Sequence, residues 1–149
     1  MPLNRRELCI LLPSLLPLAA SLKAVAQDNS LPSGAFQFDK LPLHIANNNA
    51  QIRMVMRGKL ATGEAIEVHE TTLPPGGSPT AKTHHHLHSE MWLVREGVIQ
   101  LTVNDKNYRL EPGSVGFARS NDEHGITNVG TAPAVYFLVA VGPGANLQE

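Results

Sequence analysis

Apolar and polar residues alternate along much of this chain with a period of two. Ile99, Leu101 and Val103 fall on one face of an extended segment, with Gln100 and Thr102 on the other. Successive side chains of a strand point to opposite sides, so this pattern marks a half-buried strand. Beyond the first residues no stretch carries an apolar stripe of helical period over three turns. The expected strands are Phe36–Phe38, Ile52–Gly58, Glu64–Leu73, Ala81–His86, Met91–Arg95, Val98–Asn104, Asn107–Leu110, Ser114–Ala118, Gly125–Asn128 and Ala134–Val141. Turn chemistry separates them at Asn47–Asn49, Leu73–Gly77, Arg95–Gly97, Asn104–Asn107, Glu111–Gly113 and Val129–Pro133. About ten short strands with close turns predict an all-β sandwich or barrel with antiparallel pairing.

The N-terminus follows another pattern. Arg5 and Arg6 open a charged stretch, no charge occurs from Leu8 to Leu22, and Lys23 precedes Ala24-Val25-Ala26. A basic region, an apolar run and a small-x-small site form, in that order, a secretory signal. The apolar run is shorter than the ~20 residues a spanning helix needs, and Pro13 and Pro17 interrupt it. Residues 1–26 are therefore expected to be a signal peptide and 27–149 the folded domain, exported to the periplasm or medium without stable membrane insertion. The arginine pair resembles a twin-arginine signal, although Glu7 and Leu8 depart from its flanking residues.

At 149 residues, one domain is expected. The net charge is −1 and the basic cluster lies at the extreme N-terminus, so no electrostatic footprint for nucleic acid is present. The single cysteine, Cys9, lies in the segment expected to be removed. Without a disulfide, the domain depends on core packing, metal or association, and open sheet edges suit a homodimer.

Of seven histidines, His84, His85, His86 and His88 cluster together. On a strand His84 and His86 project from one face, and His85 and Leu87 from the other. Glu90 follows where a tight turn returns the chain, and His124 comes after a later strand. Three imidazoles and a carboxylate form a mixed nitrogen and oxygen set suited to one divalent transition metal ion, with Mn, Fe, Ni, Co, Cu and Zn all acceptable. His88 shares the parity of His84 and His86 and would replace one of them if the register slipped.

The stretch Gly77-Ser78-Pro79-Thr80-Ala81-Lys82-Thr83-His84-His85-His86-Leu87-His88-Ser89-Glu90, continuing to Gly97, resembles the first motif of the cupin family. Its spacing fits from His84 to Gly97, and the leading glycine stands one residue early. Gly113 to His124, ending at Asn128, is similar to the second motif. Arg119 stands where proline is expected there and Asn121 where glycine is expected. Asn tolerates positive φ, so that turn can survive. The resemblance runs from about Phe36 to Val141. It implies a single-domain jelly-roll barrel (the double-stranded β-helix), inside which His84, His86, Glu90 and His124 converge on the metal.

A six-coordinate ion held by four protein ligands keeps two positions for water, oxygen or substrate. The resemblance therefore implies an enzyme acting on a small oxygenated molecule, of dioxygenase, isomerase or decarboxylase type, with metal-dependent oxidoreductase as the leading class. The alternative is a non-catalytic binding module whose metal is structural or bridges a ligand. Trp92, on the parity of Glu90, is a candidate substrate contact, and Arg57 and Tyr108 are candidates for an anionic one. Arg53 and Arg119 are further cations, Glu70, Glu96 and Glu123 further carboxylates, and His69 reads as surface or pocket wall. N-terminal sequencing of exported protein should find Gln27 first, because Ala24-Val25-Ala26 is the small-x-small site after the apolar run. Exported protein that retained Met1 would refute this.

Overall fold

The computed structural model describes residues 29–46 and 48–147. The signal segment read in residues 1–26 lies outside the described residues. A short 3-10 turn, Phe38–Lys40, precedes nine strands: β1 (Leu43–Ile45), β2 (Gln51–Lys59), β3 (Ala65–Leu73), β4 (Ser89–Glu96), β5 (Ile99–Val103), β6 (Lys106–Leu110), β7 (Val115–Ala118), β8 (His124–Asn128) and β9 (Ala134–Val141). They form a six-stranded sheet in the order β1-β2-β3-β9-β4-β7 and a three-stranded sheet in the order β6-β5-β8. Every pairing is antiparallel. This is the all-β jelly roll that the motif spacing implied.

Alternation decides what fills the space between the sheets. Glu90, Trp92 and Val94 of β4 are buried, while Met91 and Leu93 are exposed. On β8 the inward set is His124, Ile126 and Asn128. Trp92, Ile99, Leu101, Leu110, Ile126 and Tyr136 belong to one apolar core that closes one part of the barrel. Asn128 ties its strand to two loops: its side-chain amide donates to the carbonyls of Leu73 and Ala132 at 3.0 and 2.9 Å, and its oxygen accepts from the Gly130 N–H at 2.9 Å. The β5–β6 hairpin turns on Asn104 and Asp105, both at positive φ (46° and 64°), as a two-residue primed turn requires.

Two expected strands are corrected. Phe36–Phe38 is not a strand. The chain turns at Phe38–Lys40 and the sheet begins at Leu43–Ile45, too short a segment to show periodicity and extended because it pairs with β2. Ala81–His86 is a loop that joins the sheets only through a single bridge, His84 with His124. That segment passes from one sheet toward the other, so it has no strand beside it along its length.

The outer face of β3 holds a buried charge. Glu70 is 2% exposed, and the Arg95 guanidinium donates to its carboxylate at 2.7 Å. Phe38 lies over this pair, 4.6 Å from the Arg53 guanidinium and 5.9 Å from that of Arg95. The N-terminal segment is thereby packed onto the sheet by a carboxylate, two arginines and one aromatic ring. Arg95→Ala should leave the carboxylate short of its donor and cost about 1–3 kcal/mol in urea unfolding, the usual penalty for an unsatisfied buried acceptor. A change below about 0.5 kcal/mol, the size of an ordinary surface substitution, would show that Arg53 alone suffices.

Candidate metal centre

Two strand starts and one loop build the site. Glu90 is the second residue of β4 and His124 the first of β8, so each sheet turns one polar group inward where its strand enters the barrel. The loop bearing His84, His86 and His88 is pinned to β8 by a pair of backbone bonds, His84 N–H to His124 O at 2.9 Å and His124 N–H to His84 O at 2.7 Å. A third bond, Asn121 N–H to His86 O at 2.7 Å, fixes the middle of the loop. Asn121 has φ 65°, the left-handed conformation for which the family pattern places glycine there. Thr83 donates to Glu123 at 2.8 Å, and His85 reaches the same carboxylate at 3.6 Å on the exposed side.

The side chains converge. Ligand atoms of His84, His86 and His124 lie within 4.8 Å of one another, as do those of His86, His88 and Glu90. Glu90 Oε2 is 3.1 Å from His124 Nε2, and Glu90 Oε1 is 3.2 Å from His88 Nε2 and 3.7 Å from His86 Nε2. The two groups share His86, so His88 joins the four expected ligands in one connected cluster.

Two observations indicate that this set suits a divalent cation. His124 Nε2 is buried and has no hydrogen bond of acceptable geometry. Its other ring nitrogen, Nδ1, lies 2.8 Å from the Asp122 carbonyl, which accepts a hydrogen bond from Nδ1–H and leaves the lone pair on Nε2. His84 is held alike, its Nδ1 3.3 Å from Thr80 Oγ1 and 3.4 Å from the Lys82 carbonyl. Burial pushes the Glu90 carboxyl upward, but contact with His124, His86 and His88 outweighs it and holds Glu90 ionised below the usual range. Burial pushes His124 down, while Glu90 and the Asp122 carbonyl pull it further up, so its proton is held above the ordinary value of 6.5.

Beside this group lies a cavity of about 230 Å³. Trp92 lines it, its ring 5.4 Å from that of His124, and so does Arg57, which is ion-paired to Glu67. Tyr108 is corrected: it stands on β6, an edge strand, 48% exposed and outside the lining residues. Arg53 belongs to the outer face under Phe38, and Arg119 forms a surface pair with Asp122. His69, read as surface or pocket wall, lines the cavity, and so does Glu67, which the sequence reading did not single out; the two bond to each other at 2.9 Å. The signal was there in the odd parity of Glu67, His69 and Thr71 on one strand face.

Residues 69–141 match the family described as "Cupin_2: Cupin domain". The barrel has the cupin fold. Over 68 residues the chain is 35% identical to mannose-1-phosphate guanylyltransferase of Klebsiella pneumoniae, which covers 46% of this chain and 14% of that protein. Over 62 residues it is 34% identical to L-ectoine synthase of Bordetella petrii, covering 42% of this chain and 47% of that one. The chain thus spans less than half the length of either relative. Among solved structures it is similar to "a predicted oxalate decarboxylase" of Thermotoga maritima, with a TM-score of 0.61 and 18% identity over 72% of this chain and 98% of that one. A likeness at that identity is one of fold.

Elemental analysis of the untagged protein should find one divalent ion per chain. His86→Ala and His124→Ala should lose it, whereas His85→Ala should keep it because that ring faces away from the cavity. His88→Ala should weaken affinity about 10–100-fold without changing stoichiometry, the usual effect of removing a partner that orients a ligand. Chelation should lower the melting temperature, since an ion at a hundred times its Kd adds about 2.7 kcal/mol to a folded state that alone binds it. Protons compete for His124, so affinity measured by titration should fall as pH drops, beginning above 6.5. Retention of metal by His86→Ala with loss in His85→Ala would overturn the assignment.

Proposed function

We propose that this cupin is a metal-dependent enzyme acting on a small oxygenated molecule, with His84, His86, Glu90 and His124 holding the ion. The observation that carries the reading is the buried, unpartnered His124 Nε2 beside a cavity rather than inside a closed shell. A purely structural metal site is sealed by its ligands, whereas a catalytic one keeps a position open. A divalent ion held there supplies Lewis-acid polarisation of a substrate oxygen.

The chain's own residues supply the rest. Trp92, Ile126 and Leu138 give the cavity apolar walls that exclude water. Tyr136 is fully buried, and burial drives its phenol far above neutrality, so it is a hydrogen-bond donor that keeps its proton. At about 230 Å³ the space is smaller than the roughly 300–1,000 Å³ typical of drug-sized ligands. A short-chain hydroxy or keto compound fits it. The names of relatives, a synthase and a predicted decarboxylase among them, agree with an enzyme. Export, from the N-terminal pattern, and pairing of two copies belong to the same proposal. Exposed Met91, Leu93, Val115 and Phe117, adjacent on the outer face of β4 and β7, support pairing.

The test reloads metal-free protein with Mn, Fe, Co, Ni, Cu or Zn. Small hydroxy acids, keto acids, phenols and diketones are then followed by NMR beside an oxygen electrode. Metal-dependent conversion that His124→Ala abolishes is the expected result. Oxygen consumed in step would assign the oxidoreductase class, and conversion without it would assign isomerisation or decarboxylation. Saturable binding with no conversion under any metal would sink the enzyme reading and leave the binding module.

A further inference from the structure

The sheet that carries Glu90 holds a second polar assembly on the same inner face, two strands away, that metal binding does not use. Arg57, Glu67, Ala140 and Glu90 are successive cross-strand partners over β2, β3, β9 and β4. Directly opposed residues share a face, so all four point into the barrel. Two strand spacings of ~4.75 Å put the Glu67 and Glu90 backbones about 9.5 Å apart, with only the methyl group of Ala140 between them. The neighbouring row is His69, Leu138 and Trp92. A small molecule in the cavity that both residues line can therefore reach Glu90 and His69 together.

His69 is held in one orientation. Its Nδ1 lies 2.9 Å from Glu67 Oε1, while the other oxygen of Glu67 accepts from the Arg57 guanidinium. The side chains of His69 and Glu67 are 14% and 13% exposed. Burial alone would push the Glu67 carboxyl up, yet bonds from His69 and Arg57 outweigh it and keep it ionised. An ionised acceptor fixes the proton on Nδ1, and Nε2 is the nitrogen left for the cavity that His69 lines. His69 belongs to neither group of ligand atoms. Base, orienting carboxylate and a third group that fixes the carboxylate form the arrangement by which an imidazole is made ready to move a proton.

Resting on the enzyme reading above, we propose that His69 is the proton-transfer residue of this cavity, with Glu67 and Arg57 as positioning residues, and that the substrate is a small α-hydroxy carbonyl compound. His69 Nε2 takes the proton from the carbon between hydroxyl and carbonyl, and the electron pair left behind moves onto the carbonyl oxygen. The same imidazole returns the proton to the former carbonyl carbon while the hydroxyl proton passes to the other oxygen. Carbonyl and hydroxyl exchange places, and no oxidant or reductant is consumed. The chemistry is an isomerisation.

Two measurements on the metal-loaded protein test this. The first follows exchange of carbon-bound hydrogen for deuterium in glyceraldehyde, dihydroxyacetone and hydroxypyruvate in D₂O. Wild type should exchange at least one of them, and His69→Gln should lose about 10²-fold or more of that rate, the lower range for general base catalysis. Its metal content should stay at one ion per chain. The second reads the tautomer of His69 by ¹⁵N NMR in the zinc-loaded protein. It should carry Nδ1–H in wild type and lose that preference in Glu67→Gln, which a merely structural contact to the strand would not predict. Wild-type exchange rates in His69→Gln, or Nε2–H in wild type, would overturn the role of His69 and leave the enzyme reading intact. Wild type that binds metal but exchanges none of the three probes would overturn the proton-transfer proposal, and the wider substrate screen then decides the enzyme reading separately.

Discussion

The paired backbone bonds between His84 and His124 are the joint on which the rest of the site depends. The loop from His84 to His88 has no strand beside it, so this bridge and the Asn121 contact to His86 fix its backbone, while Thr80, the Lys82 carbonyl and Glu90 hold the rings of His84 and His88. The bridge also brings the sheets' polar groups together, because His124 opens β8 in the smaller one while Glu90, second in β4, lies in the larger. Each unpaired backbone group on such a loop would cost free energy if buried dry. Closing the barrel and assembling the ligand group are thus one event.

A barrel interior of this size fills with side chains, and the question is which of them are polar. Here the division follows the strands. The apolar cluster around Trp92, Ile99, Leu101 and Leu110 closes one part, and the imidazoles and carboxylates gather beside the cavity. Glu90 and His124 satisfy each other only imperfectly, as the unpartnered Nε2 shows. A buried polar group left in that condition costs about 1–3 kcal/mol, and a bound ion removes the cost by taking the lone pair. The local instability of the group is what would favour a cation there.

The six-stranded sheet uses parity to keep two charge systems apart. Glu67 and His69 face the cavity, while Glu70, one parity step away, faces outward and is covered by Arg95 and Phe38. Strand β2 serves both systems. Its register shifts by one residue between Met54 and Met56, so Arg53 opposes outward Glu70 and Arg57 opposes inward Glu67. Without that bulge the two arginines, four residues apart, would share a face. Arg57 would then lie on the outer surface with Glu67 unsupported in the cavity wall.

The order of residues by itself determined whatever rests on neighbours along the chain. Alternation at Ile99, Leu101 and Val103 set a strand and its buried face, the Asn104–Asn107 turn set a hairpin, and Asn121 could take the positive φ that its motif position requires. Spacing from His84 through Glu90 and from Gly113 to His124 made the four candidate ligands legible, because each stands at a fixed distance from a turn. Tertiary structure alone decided what depends on partners far away in sequence. Ala81–His86 has strand-like alternation but no neighbouring strand, and Leu43–Ile45 has too few residues for a pattern but pairs with β2. Tyr108 looked equivalent to Arg57 as a cavity contact until β6 proved to be a sheet edge. The bulge in β2 reversed the parity that would have placed Arg57 outside, and the register of β3 brought Glu67 and His69 onto the same inner face as Glu90. Register is a property of the closed sheet, since each strand takes its place from the strands on both sides of it.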